Sequence, residues 1–253
     1  MASAGRNAGT QPRETDKNVC PTTGRPNDDR AGAEGRGNRI AGSGDPVAIV
    51  TGAGRGIGRA TAVELAGRGY RVVLVGRNRA PLDDVSAAVG GHMRRAAVAV
   101  GDVSDASAVT RIVDEATRAF GRVDVVVNNA GLAPVRTIEQ MTIAEWRAVI
   151  DTNLSAAFYL TKAAWPTFVR QGGGVVVNLS SLSCRDPFPG FAAYGAAKAG
   201  LNLLGLALAC EGSPHGIRVH TIAPGAVETE MFRGLMTPEQ WPTEKTLAPA
   251  LLA

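Results

Sequence analysis

Six short runs of aliphatic residues punctuate the chain, at positions 47–50, 71–75, 96–100, 123–127, 175–179 and 217–222. Near-continuous Val, Ile, Leu and Ala over four to six residues is the pattern of strands buried on both faces. Between them lie longer stretches with helical periodicity, at 59–68, 81–89, 106–120 and 143–170, and one that runs from Tyr194 through Leu201, Leu204 and Leu208. In the third stretch Val109, Ile112, Val113 and Ala116 fall on one helical face. Strands alternating with helices predict an α/β fold built on a doubly wound parallel sheet with right-handed crossovers. Such sheets bind ligands beyond the carboxyl ends of their strands.

Residues 1–45 carry Gly, Arg, Asn, Asp, Pro and Thr, with Val19 and Ile40 the only large aliphatics. So little apolar surface cannot offset the entropy of ordering, and this segment is expected to be a disordered tail. It reads as a regulatory arm or an over-extended start, with the folded domain at 46–253. The 253 residues carry a formal charge of +4, with the basic residues scattered. The absence of a Lys/Arg block interleaved with aromatics argues against nucleic acid as a partner. No unbroken apolar run reaches the ~18 residues of a membrane span, and the N-terminus lacks an apolar signal core. Cys20, Cys184 and Cys210 show no paired spacing. That speaks against a disulfide framework or a metal site and suits a cytoplasmic protein.

Candidate chemistry sits where the strands end. The first strand enters Thr51-Gly-Ala-Gly-Arg-Gly-Ile-Gly58 and then a helix. Gly52, Gly56 and Gly58, with Arg55 and Ile57 between them, form either a phosphate cradle at a helix N-terminus or a tight turn. The second strand ends in Gly76-Arg77, with no carboxylate to hold a ribose 2′-hydroxyl. Arg55 and Arg77 there either bind a 2′-phosphate, pointing to NADP(H) over NAD(H), or are solvated. Asp102, followed by Val103, either accepts from an adenine amino group or caps the next helix. Asn128-Asn129-Ala130-Gly131 closes the fourth strand, and Asn153 lies in an apolar stretch where it needs partners. Ser181 follows the fifth strand, and Pro224-Gly225 follows the sixth. Tyr194 and Lys198, four residues apart, share a helical face. An ammonium beside a phenol favours the phenolate, so the tyrosine pKa is expected to fall toward working pH. Such a phenol gives or takes a proton at a carbonyl or alcohol oxygen. Chance produces the same spacing on amphipathic helices.

Taken together and in this order, residues 51–58, 101–103, 128–131, Asn153, Ser181, Tyr194/Lys198 and Pro224-Gly225 with Thr229 resemble the classical short-chain dehydrogenase/reductase family over about 46–232. The resemblance implies an oxidoreductase that moves a hydride between NADP(H) and a carbonyl or secondary alcohol. Tyr194 would be the acid, Lys198 would lower its pKa and hold the nicotinamide ribose, and Ser181 would bond the substrate oxygen, with Ser180 and Ser183 as nearby alternatives that fit the family's spacing to the tyrosine less well. Asn153 would hold a water that links Lys198 to solvent. Asp102 and Val103 would flank the adenine, Asn129, Ala130 and Gly131 would line the cofactor cleft, and Thr229 would bind the carboxamide. Substrates in reach are 3-oxoacyl thioesters, small ketones and polyols; no metal is implied. After Thr229 the chain departs from the family pattern, and the last strand is expected to be missing. A homo-oligomer through the helices carrying Asn153 and Tyr194 is left open, as is a non-catalytic NADP(H)-binding protein.

Overall fold

All six aliphatic runs are strands, and every strand pairing is parallel. The computed structural model describes residues 44–90, 95–186 and 188–234. The expected disordered tail, except Gly44 and Asp45, and most of the stretch behind the missing-strand expectation lie outside these residues. The strands are β1 (Val47–Thr51), β2 (Arg71–Gly76), β3 (Ala96–Val100), β4 (Val125–Asn128), β5 (Gly174–Leu179) and β6 (Ile217–Ile222). They run in the order β3-β2-β1-β4-β5-β6. The order reverses between β1 and β4, the switch point at which a doubly wound sheet opens a crevice. The helices are α1 (Gly56–Gly67), α2 (Arg79–Ala88), α3 (Ala106–Phe120), α4 (Ile143–Ile150), α5 (Ala156–Gln171), α6 (Ala192–Gly212) and α7 (Glu230–Arg233).

Burial on both faces of the sheet explains the valine-rich strands. Alternate residues of β1, Val47 and Ile49, join α3 and α5 in one core, while Ala48 and Val50 join α1 and α2 in the other. Each such valine or isoleucine gains on the order of 1.5–3 kcal/mol from leaving water. A smaller cluster of Val149, Ala193 and Ala197 packs with Tyr194 and anchors the start of α6. At the amino ends of the strands, Asp124 is fully buried and accepts two bonds from Arg122 and one from the Val47 N–H. A buried carboxylate needs that full complement.

Two departures from the periodicity have local causes. β4 starts two residues later than its aliphatic run, because Val123 bonds in both directions with the Gln171 amide. The long helix expected over 143–170 is interrupted by a π-helical turn, Asp151–Ser155, that carries Asn153. Such turns widen a helix to aim one residue and recur at functional sites. Among the described residues Cys184 is a free thiol.

Among the described residues one stretch, Ala192–His215, is by length and composition apolar enough to cross a membrane, with mean hydropathy 1.2. Its character follows from having two apolar faces. Ala193, Ala197, Leu201 and Leu208 are buried, while Leu203 and Leu206 are 69% and 58% exposed on α6.

Candidate functional site

Thr51 organises the crevice. Its hydroxyl donates to the Val127 carbonyl at 3.0 Å and accepts from the N–H groups of Asn129 (2.9 Å) and Ala130 (3.0 Å). The ends of β1 and β4 are thereby locked together. Asn129 returns the contact, its Nδ2 donating to the Thr51 carbonyl at 2.8 Å. Sequence reasoning placed Asn129 in the cleft and Thr51 at the head of the glycine motif, but gave Thr51 no role of its own.

Gly52 has φ +64°, a backbone conformation that favours glycine. At Gly58 a Cβ would stand 2.3 Å from the Gly52 carbonyl oxygen, so α1 starts directly against the loop. The first N–H groups of α1 have no intrahelical partner. Its N-cap, Arg55, makes no side-chain cap bond, and the first turn has no acidic residue. Free donors and the positive end of the helix dipole therefore face the crevice, which fits a pyrophosphate. Thr229 overhangs this loop, its methyl 3.3 Å from where a Gly56 Cβ would be. Its hydroxyl accepts from the Phe232 N–H. Arg55 Nη1 meets Glu230 Oε2 at 3.0 Å, so this arginine already has an anionic partner.

At the other end of the crevice Gly76 passes directly into Arg77, and Asn78 precedes α2 without a side-chain cap bond. Asp102 Oδ1 accepts the Ser104 N–H (2.9 Å) and O–H (2.7 Å). These two bonds hold its carboxyl below the usual range, with help from Arg77. The cap of α3 is Asp105, which accepts from the Ser107 N–H, so Asp102 does not fill that role. The side chain of Val103 is buried in the core beneath α3, because the strand-end turn folds it inward.

The third group gathers at the start of α6. Lys198 is 3% exposed, and its Nζ lies 5.5 Å from the centroid of the Tyr194 ring. Nζ donates to the Leu179 carbonyl at 2.6 Å. Burial pushes this lysine down to about 8. Tyr194 is shifted up, against the expected fall. Burial of the phenol outweighs its hydrogen bond with Ser181, and the Lys198 ammonium is turned onto the β5 carbonyl. Ser180, the neighbouring alternative, donates to the Lys198 carbonyl at 3.2 Å and so ties α6 to β5.

Asn153 donates through Nδ2 to the carbonyls of Leu132 (2.8 Å) and Val149 (2.9 Å). Its Oδ1 is buried with no partner among the described residues, and a Cβ on Gly131 would stand 2.7 Å from it. A buried acceptor left open in this way calls for a donor. Beside the phenol, Phe191 stacks edge-on to Tyr194, and Phe188 stacks on Phe191. The Arg136 N–H donates to the Gly190 carbonyl at 2.9 Å, tying the segment after Gly131 to the one that enters α6. Sequence reasoning also missed the buried amide ladder behind the site. Asn128 donates to Asn178 at 2.8 Å, and the two sit opposite each other in β4 and β5.

A family model described as short chain dehydrogenase matches residues 46–240. Sulfoacetaldehyde reductase 2 of Chromohalobacter salexigens is 38% identical over 73% of this chain and 73% of that protein. A 3-oxoacyl-(acyl-carrier-protein) reductase of Synechocystis is 36% identical over 75% of this chain and 77% of that one. The crystal structure of a 3-ketoacyl-(acyl-carrier-protein) reductase from Brucella melitensis, complexed with NADH, superposes with TM-score 0.71. It is 32% identical, covering 74% of this chain and 78% of its own.

Proposed function

The chain belongs to the short-chain dehydrogenase family, and from that premise we propose that it reduces a carbonyl, or oxidises the matching secondary alcohol, with NADP(H). The observation that carries this reading is the half-buried phenol of Tyr194, beside Ser181 and one helical turn from a buried lysine. A nicotinamide cofactor supplies the hydride when bound. Tyr194 gives the proton to the oxygen that gains charge, and its raised pKa keeps it protonated at neutral pH. Ser181 donates a hydrogen bond at the same oxygen. Lys198, protonated below about 8, supplies positive charge beside the phenol. The open Oδ1 of Asn153 holds the water that relays protons to Lys198. The glycine loop and Thr229 take the pyrophosphate and nicotinamide end, with Asn129, Ala130, Gly131, Pro224 and Gly225 as walls.

Phosphate preference falls chiefly to Arg77, because Arg55 already faces Glu230. Purified protein assayed with NADPH and NADH against sulfoacetaldehyde and a 3-oxoacyl thioester is expected to prefer NADPH. Arg77→Asp removes a charge-assisted partner of the 2′-phosphate and offers the 2′-hydroxyl an acceptor. The ratio of kcat/KM for the two cofactors is expected to move toward NADH by roughly 10- to 100-fold, one to three kcal/mol of charge-assisted bonding. Unchanged ratios would place Arg77 in solvent. Cofactor binding without turnover on any carbonyl would leave a non-catalytic binding protein.

The uncovered leucines of α6, with Phe158 of α5 43% exposed, support a homo-oligomer that buries these helices. Sedimentation velocity is expected to find at least a dimer, and Leu203→Glu to return it to monomer; a wild-type monomer would remove this part of the reading.

A further inference from the structure

We propose that Ser183 is a positioning residue: its N–H and O–H together commit the Ser181 hydroxyl to donating toward the oxygen that Tyr194 serves. The inference rests on the redox reading above and gives Ser183, which the sequence offered only as an alternative to Ser181, a role of its own. Ser181 caps the short 3-10 turn Leu182–Cys184, and its Oγ accepts the Ser183 N–H at 3.2 Å. The Ser183 hydroxyl donates to the same oxygen at 3.0 Å. A serine oxygen has two acceptor sites and one proton. With both acceptor sites engaged by one neighbour, only the proton of Ser181 is left to use, and it lies beside the Tyr194 phenol. Ser183 thus donates into Ser181, whose proton is left for the oxygen that Tyr194 serves, and the first bond polarises the second donor.

Ser183 is itself held still. It is 8% exposed. Its carbonyl oxygen stands 3.1 Å from where a Cβ on Gly195 would be, against the helix turn that carries Tyr194. On the other side the Leu182 N–H donates to the Pro224 carbonyl at 3.1 Å, and Asn202 Nδ2 bonds the Cys184 sulfur. The turn therefore cannot swing to let Ser181 choose another geometry. Losing the Ser183 hydroxyl frees one acceptor site on Ser181, and Ser181 then samples orientations that accept rather than donate.

Steady-state kinetics on Ser183→Ala, Ser183→Thr and Ser181→Ala, with NADPH and whichever of sulfoacetaldehyde or a 3-oxoacyl thioester wild type turns over, test this. For Ser183→Ala, kcat is expected to fall roughly 10- to 50-fold, the size of one strongly used hydrogen bond. KM and NADPH affinity by fluorescence titration should stay within about twofold, a split that loosened packing would not give. Ser183→Thr keeps the hydroxyl and should recover most of the rate. Wild-type kcat in Ser183→Ala, or a threonine variant as slow as alanine, overturns the proposal while Ser181→Ala still confirms the redox site. A wild type inactive on both carbonyls overturns the redox reading and this inference together. If Ser183→Ala does not fold, Ser183→Cys, a weaker donor of similar size, takes its place with the same expected loss of kcat.

Discussion

Tyr194→Phe is expected to lower kcat for carbonyl reduction by roughly 10²- to 10⁴-fold, the range that a positioned general acid contributes. The substitution removes one oxygen and leaves the ring in its contacts with Phe191 and the Val149–Ala193–Ala197 cluster. Fold and cofactor affinity should therefore hold, so NADPH titration and the melting curve should match wild type. The raised phenol pKa sets the pH dependence. A group whose pKa is raised stays in its acid form through neutral pH, so the wild-type reduction rate should be flat there. It should fall only above about 8, as alkaline pH first discharges Lys198 and then strips the phenol, and the residual rate of Tyr194→Phe should lack the later limb. A phenylalanine variant with wild-type kcat would move the proton donor elsewhere and remove the central role assigned here to α6.

Gly58→Ala should act on binding rather than on chemistry. A Cβ there would lie 2.3 Å from the Gly52 carbonyl oxygen and 2.4 Å from Asn129 Nδ2. The first neighbour is backbone and cannot rotate away. The second holds the Thr51 and Gly52 carbonyls and so binds β4 to the glycine loop. Either α1 moves off the loop or Asn129 is displaced, and in both cases the helix N-terminus no longer faces the same spot. Overpacking of this kind costs about 1–3 kcal/mol, or a melting temperature lower by roughly 3–10 °C for a domain of this size. NADPH affinity should fall further, by roughly 30-fold or more, because a misplaced dipole end and misdirected N–H groups lose charge-assisted bonds. Calorimetric titration of the folded variant checks this. Wild-type affinity would mean that the cofactor does not use the start of α1.

Local chemistry and tertiary packing divide the site between them. The strands were legible because burial on both faces forces aliphatic runs, as in 71–75 and 125–127, and the observed strands keep those positions. The glycine loop was legible because a close approach of backbone to backbone excludes side chains, and Gly58 shows how close it is. Tyr194 and Lys198 were legible as a pair because four residues of helix set their separation. The amide ladder of Asn128 and Asn178 was not, since it depends on strands 50 residues apart meeting in one register.

The sequence by itself determined the parallel sheet, its ligand edge and the residue types gathered there, because periodicity and spacing are short-range properties. Only the tertiary structure decided how those residues are charged and aimed. Tyr194 is shifted up rather than down because burial, which no local pattern measures, outweighs its polar neighbours. Arg55 faces Glu230 across 175 residues of chain, Val103 turns into the core, and Ser183 closes on Ser181 against α6. Desolvation and contacts between distant segments exist only once the chain has folded, and they set the protonation and direction of every group in the crevice.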